Sequence, residues 1–323
     1  MSKKRVRRNR NRNRNRRKKR SERNNPLINL PIASMFNPNQ CSPRKDKPVK
    51  SCLSNDLLVK IAKIINKIGK CDNIDCNLPT SELHHRICCE IKNISDCKNE
   101  ACWNTITSIM NKLNSDEKEK FKSSFKPFMP EAWKKEPNKW LNTLDIDAVM
   151  EQYEDAFPTF KYWGASPLDF AKKKKKTCEV NDLCKVSLKE MLDDDYESFG
   201  AIFNTDTSDG PGEHWFSFYG DLKGINRKGK PSLYYFDSVG TDAPKEIIEL
   251  VKKLQEQGKK LDHPLDVLYN DIRHQSGNNE CGIYSLHFLT EMLKGIPFTK
   301  YVNSKKNDKQ MERLRKVFFI NNP

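Results

Sequence analysis

Two short runs constrain this chain most: "HWFSFYGDL" (214–222) and "SLYYFDSVG" (232–240), separated by the polar stretch "KGINRKGKP". Aromatic residues spaced at period two predict strands, and a glycine-bearing polar connection predicts that the two are antiparallel neighbours. "AIFNTD" (201–206) and "LDVLYNDIRHQ" (265–275) read as further strands. Between the last two runs, Pro244 opens a helix that carries Ile247, Ile248, Val251 and Leu254 on one face, with Gly258 near its end. Another helix follows Cys281 and reaches about Leu293. Strands bracketed by helices predict an α+β fold.

Upstream the texture differs. Leu57, Leu58, Ile61, Ile64, Ile65 and Ile68 recur at helical spacing, with Ser54 as a cap and Gly69 as a stop. A second helix is expected from Ser81 (Leu83, Ile87, Ile91), and a third from about Trp103 (Ile106, Ile109, Met110, Leu113). These observations divide the chain into a tail and linker (1–47), a helical arm (48–122) and a core of mixed secondary structure (123–323). With 323 residues the chain is long enough to bury a real core without metal or cross-links.

The net charge of +16 is unevenly spread, because residues 1–23 hold 14 Lys or Arg and one acid, leaving only +3 for the rest. Such a segment has nothing to bury and is expected to be disordered. Its charge density suits unspecific contact with nucleic acid, with nuclear import or mere solubility as the other readings. The run KKKKK at 172–176 is expected to be a solvated loop. No window reaches the roughly 18 apolar residues of a membrane span, and no apolar stretch follows the basic start.

Eleven cysteines without a secretory signal read as reduced thiols of an intracellular protein. Seven fall in the arm, where "CDNIDC" and "CKNEAC" flank His84, His85, Cys88 and Cys89. The four-residue spacing is looser than that of common zinc sites, so no metal is expected, and these thiols read as structural.

The chemistry concentrates further on. His214 follows a Gly-Pro-Gly turn at the first position of its strand, on the face of Phe216 and Phe218. Asp237 ends the next strand on the face of Leu233 and Tyr235, and an antiparallel pairing returns it beside His214. A carboxylate on an apolar face needs a partner, and an imidazole serves. Cys281 opens a helix, where free N–H groups and the positive dipole end favour a thiolate. Gln275, six residues earlier, can aim its amide at a tetrahedral oxyanion, with the Cys281 N–H as second donor. Each residue alone has a bland reading, since a lone histidine or cysteine on such a face is more often core.

The order His214-Trp215, Asp237, Gln275-x5-Cys281-Gly282 resembles the adenain and SUMO-protease family of cysteine proteases. "FNTDTSDGPGEHW" and "IRHQSGNNECGIYSL" are most similar to its branch in African swine fever virus and giant viruses, and "CLSNDLL" and "CDNIDC" resemble that branch's N-terminal arm. The resemblance covers about residues 48–323 and implies an adenain-like core with a helical arm. It implies a cofactor-free endopeptidase that cleaves after Gly-Gly-type sites in viral structural polyproteins, within virions assembling in the host cytoplasm. A SUMO- or ubiquitin-type isopeptidase is the alternative, and an inactive nucleic-acid-binding virion protein is a third reading. By this resemblance His214 is the general base, Cys281 the nucleophile, Asp237 the orienting acid and Gln275 the oxyanion donor. Trp163, Asn204 and Trp215 are its expected substrate-cleft residues.

Overall fold

The computed structural model describes residues 40–44, 51–69, 73–97, 99–174 and 177–321. The basic tail, most of the linker and Cys71 of "CDNIDC" lie outside the described residues. Helix α1 (Asn55–Ile68) begins where the Ser54 hydroxyl accepts from the Leu57 amide and stops at Gly69, whose φ of 68° is left-handed. Its apolar stripe packs with Leu83, Ile87 and Ile91 of α2 (Thr80–Ile94), and with Trp103, Ile109 and Phe121, in one buried cluster. Phe125 and Ile320 close the same cluster from later in the chain.

The third helix expected from Trp103 is broken into three pieces. Asn99 caps a 3-10 turn (Glu100–Thr105), extended Ile106 interrupts, and α3 (Thr107–Met110) makes a single turn. A capping box between Asn114 and Glu117 then starts α4 (Ser115–Ser123). Side-chain caps at Asn99 and Asn114 compete with continuation and override the apolar spacing.

The cysteines depart from expectation. Cys41–Cys52, Cys97–Cys102 and Cys178–Cys184 are disulfides, so these six are not reduced thiols. Each pair is close in sequence, and the fold sets their Cα atoms 5.0, 5.5 and 6.2 Å apart, within bridging reach. The compartment argument used composition and could not see that proximity.

The core holds a five-stranded mixed sheet in the order β1 (Phe160–Ser166), β4 (Ser198–Asn204), β5 (Trp215–Asp221), β6 (Ser232–Phe236), β7 (Asp266–Tyr269). The expected neighbours β5 and β6 are antiparallel, with Ser217 opposite Phe236, while the two outer pairs are parallel. The lysine run is partly ordered: β2 (Lys173–Lys174) pairs with β3 (Thr177–Cys178) in a short hairpin. Turns α6 (Asn181–Cys184) and α7 (Leu188–Asp193) lead into β4.

Every residue of β4, β5 and β6 is buried, so both sheet faces are covered. Phe199, Ala201, Phe203, Phe216, Phe218, Leu233 and Tyr235 form one face with Ile247, Leu250, Val251 and Leu254 of α8 (Lys245–Lys260). Ile248, expected on that stripe, points outward at 37% exposure. The opposite face receives α9 (Cys281–Leu293): the Ser217 hydroxyl donates to the Ser285 carbonyl and Phe236 stacks on Phe288. Helices α10 (Phe298–Asn303) and α11 (Asp308–Phe318) complete the chain.

Two elements left no clear mark in the sequence. Helix α5 (Thr143–Ala156) is acid-rich and is started by an Asn142–Asp145 capping box. Strand β1 lacks alternation because its register slips between Tyr162 and Ala165, around Gly164 at φ 90°. No helix among the described residues is long and apolar enough to cross a membrane.

Non-reducing peptide mapping after thiol blocking is expected to recover Cys41 linked to Cys52. Recovery of both as alkylated thiols would contradict that pairing.

Candidate active site

The loop before β5 is tied down by Asn204, whose side-chain oxygen accepts from the amides of Asp206 (2.9 Å) and Glu213 (3.0 Å). The Thr205 amide donates to the His214 carbonyl at 2.8 Å, so the histidine backbone is fixed at the strand's entry. The β5–β6 register then brings Asp237 back beside it, and His214 Nε2 lies 2.7 Å from Asp237 Oδ1. Asp237 has no exposed surface. It accepts also from the Val239 amide at 2.9 Å and from the Thr241 hydroxyl.

The Cys281 thiol, at the start of the helix that follows, is the second group that acts on the same imidazole. Burial alone would depress the His214 pKa, but the hydrogen bonds and charges of Asp237 and Cys281 outweigh it and raise it to about 10. Burial pushes the Asp237 carboxyl up, and the hydrogen bond and charge of His214, with Thr241 and Val239, hold it below the ordinary range. The arrangement therefore favours a charged imidazolium beside the Asp237 carboxylate.

Cys281 is the first residue of α9 and is 2% exposed. The segment that leads to it leaves the sheet early. "LDVLYNDIRHQ" pairs only over Asp266–Tyr269, and beyond it the amides of His274 and Gln275 both donate to the Ser238 carbonyl at 2.8 Å. Gln275 is buried; its side-chain oxygen accepts from the Ser238 hydroxyl at 2.7 Å, and its Nε2 donates to the Gly277 carbonyl at 2.8 Å. These two bonds fix which end of the amide carries the nitrogen. One Nε2 hydrogen is used by Gly277, which leaves the other for a further acceptor.

The three expected cleft residues fare differently. Trp163 is core: it stacks on Phe199 at 4.2 Å, on the sheet face that carries Phe218 and α8 and away from α9. Asn204 is 8% exposed, and its oxygen is spent on the loop that positions His214. Trp215 lies on the α9 face, where its indole donates to the Leu141 carbonyl at 2.9 Å.

That contact exposes a residue the sequence reading passed over. Trp140 is 44% exposed and donates to the Asn279 side chain at 3.3 Å, two residues from Cys281. Its neighbour Leu141 abuts Gly282, where an added Cβ would meet it at 3.2 Å. Trp140 and Leu141 thus run past both the histidine and the cysteine sides. The Asn142–Asp145 capping signal places this tryptophan just outside a helix start.

No group of three or more His, Cys, Asp or Glu among the described residues could hold a metal. In the arm, Cys97 and Cys102 are joined to each other, while Cys88 and Cys89 contact His84 and His85.

With this geometry in place, the relatives make the chain a cysteine-type peptidase. In particular, it is homologous to viral thiol proteases. It is 28% identical over 309 residues to a thiol protease of Acanthamoeba polyphaga mimivirus, covering 88% of this chain and 94% of that one. To a cysteine protease of African swine fever virus it is 29% identical over 188 residues, 55% of this chain and 67% of that protein. The crystal structure of the African swine fever virus protease shares the fold, at TM-score 0.63 and 18% identity, over 90% of this chain and 98% of that one. Residues 165–318 also match the family model described as YopJ serine/threonine acetyltransferase.

Folding favours the charged imidazole, so the stabilisation from His214 is complete below pH 6.5 and is lost as pH rises towards about 10. Thermal midpoints of the wild type and His214→Gln are expected to differ most below pH 6.5 and to converge towards pH 10. A gap that widens with pH would contradict this sign.

Proposed function

We propose that the chain is a thiol endopeptidase that matures viral structural polyproteins by cleaving after Gly-Gly-type sequences. The observation that carries this reading is an imidazole bonded to a buried carboxylate and acted on by a thiol that opens a helix.

In the proposed mechanism Asp237 orients His214, and His214 holds the proton of Cys281, so that the thiolate attacks the scissile carbonyl carbon. The electron pair moves to the oxygen, which the second Nε2 hydrogen of Gln275 and the Cys281 amide stabilise. Collapse breaks the C–N bond while the His214 imidazolium protonates the leaving amine. Water, deprotonated by His214, then hydrolyses the thioester and restores the thiol.

The substrate class rests on the mouth of the site. Exposed Trp140 donates to Asn279, two residues before the nucleophile, and Leu141, which holds the Trp215 indole, abuts Gly282, the residue after it. On this reading these residues line a narrow passage that admits glycine and excludes larger side chains. The relatives are viral proteases, and on this reading the substrate is a viral polyprotein cut within virions or at cytoplasmic assembly sites. The basic segment 1–23 would hold the enzyme on nucleic acid there.

Two observations favour other acceptors or substrates. Relatives from other isolates of African swine fever virus bear the name SUMO-1 cysteine protease, which favours an isopeptidase acting on ubiquitin-like tails. The acetyltransferase family model favours a thioester on the same cysteine that is passed to a hydroxyl instead of water.

Purified enzyme is expected to cut a Gly-Gly-X peptide after the second glycine, and Cys281→Ala to reduce turnover at least about a thousandfold. Undiminished turnover by the variant would remove the cysteine mechanism. Cleavage confined to ubiquitin-like fusions would favour the isopeptidase. Acetylation of a Ser/Thr peptide from an acetyl thioester, without cleavage, would favour the transferase.

Deleting residues 1–23 is expected to leave peptide cleavage unchanged while DNA retention at low salt falls. Equal loss of both would refute the separation of roles.

A further inference from the structure

The residues between Gln275 and Cys281 form no helix or strand, yet the proposed chemistry needs the amide at one end and the thiol at the other in fixed register. One element holds both ends of this loop. At the start of α11, Asp308 accepts from the amides of Gly277 (2.7 Å) and Ser276 (3.1 Å), and from the Tyr284 hydroxyl on α9 at 3.1 Å. Gly277 is the residue whose carbonyl receives the Gln275 amide. Near the end of α11, Arg315 grips Glu280, the residue before the nucleophile, through Nε at 2.9 Å and Nη2 at 2.9 Å.

The Arg315–Glu280 pair is 4% exposed on both sides, so its desolvation is offset only by complete satisfaction of the guanidinium. That satisfaction comes from the surroundings of the site. Arg315 donates to the carbonyls of Lys139 (2.9 Å) and Asn279 (3.2 Å), and its plane lies 4.3 Å over the Trp133 ring. Lys139 directly precedes Trp140, so one side chain joins the nucleophile's loop to the segment that carries the exposed tryptophan. A helix placed merely to cover the core would need neither contact.

We propose that Asp308 and Arg315 are positioning residues, and that α11 is the template that sets the distance between the oxyanion donor and the nucleophile. This rests on the thiol-protease reading above. Asp308 holds the loop's first half against the Gln275 amide, and Arg315 holds its last residue against the start of α9. Neither touches substrate; each acts through the loop. Misplacement of reacting groups by about 1 Å costs up to ~100-fold in rate, while substrate binding elsewhere is untouched.

The test compares wild type, Asp308→Asn, Arg315→Lys and the exposed control Lys309→Ala. Two readouts are used: the rate at which iodoacetamide modifies Cys281, followed by peptide mass mapping with exposed Cys89 as internal reference, and kcat and KM on a Gly-Gly-X peptide. Asp308→Asn and Arg315→Lys are expected to slow Cys281 modification about tenfold, leave Cys89 unchanged, and lower kcat at least about tenfold with KM within about twofold. Lys309→Ala should match wild type throughout. Asp308 is only half-buried, so if Arg315→Lys fails to fold, Asp308→Asn decides alone. Wild-type modification of Cys281 in the folded variants, or a loss confined to KM, overturns the proposal. If wild type cleaves no peptide, the thiol-protease reading fails, and the modification rates still judge the template.

Discussion

Asp237 has no contact with solvent, and an ionised carboxylate in that position is sustained only by donors around it. Those donors come from separate places: the ring of His214, the amide of Val239 and the hydroxyl of Thr241. The Asn270 amide adds a bond to its carbonyl at 2.6 Å. Satisfying one charge therefore fixes the entry of β5, the exit of β6 and the turn after it. It also fixes the path by which the chain leaves β7.

The turn after Asp237 passes the constraint onward. The Ser238 carbonyl receives the amides of His274 and Gln275, and its hydroxyl holds the Gln275 side chain. His274, beside it, is itself anchored: Nε2 donates to the Val302 carbonyl at 2.9 Å, and Nδ1 accepts from the Lys306 amide at 3.3 Å. Burial pushes its pKa down, in keeping with a neutral ring that serves both bonds. Gly240 is required here, since at φ 72° a Cβ would strike the Asp271 carbonyl and the Arg273 amide at about 3 Å. The site is thus a chain of backbone and side-chain bonds laid across sheet edges, stiffened by the aromatic packing on both faces below.

Legibility of the sequence followed the range of the interaction. Helix α1 was readable because its cap, stripe and stop lie within sixteen residues of one another. Strands β5 and β6 were readable from aromatic spacing and the polar connection, and their pairing placed His214 beside Asp237 as reasoned. Trp163 could not be separated from a cleft residue, because an indole reads alike in a core or a groove until its neighbours are known. The disulfides were misread for the same reason: composition reports a compartment, whereas bridging depends on Cα proximity. Trp140 was invisible because its partner, Asn279, is 139 residues away.

The sequence by itself determined the α+β class, most of its helices and strands, and the candidate residues His214, Asp237, Gln275 and Cys281. These follow from local pattern and side-chain identity. Tertiary structure alone decided which nitrogen of His214 meets the carboxylate, that Asn204 braces a loop and that Trp163 is core. It also decided that Asp308 and Arg315 hold the nucleophile's loop from a helix near the end of the chain. Those facts depend on distances between segments far apart in sequence, which burial of both sheet faces and the Asp237 network set only once the chain has closed on itself.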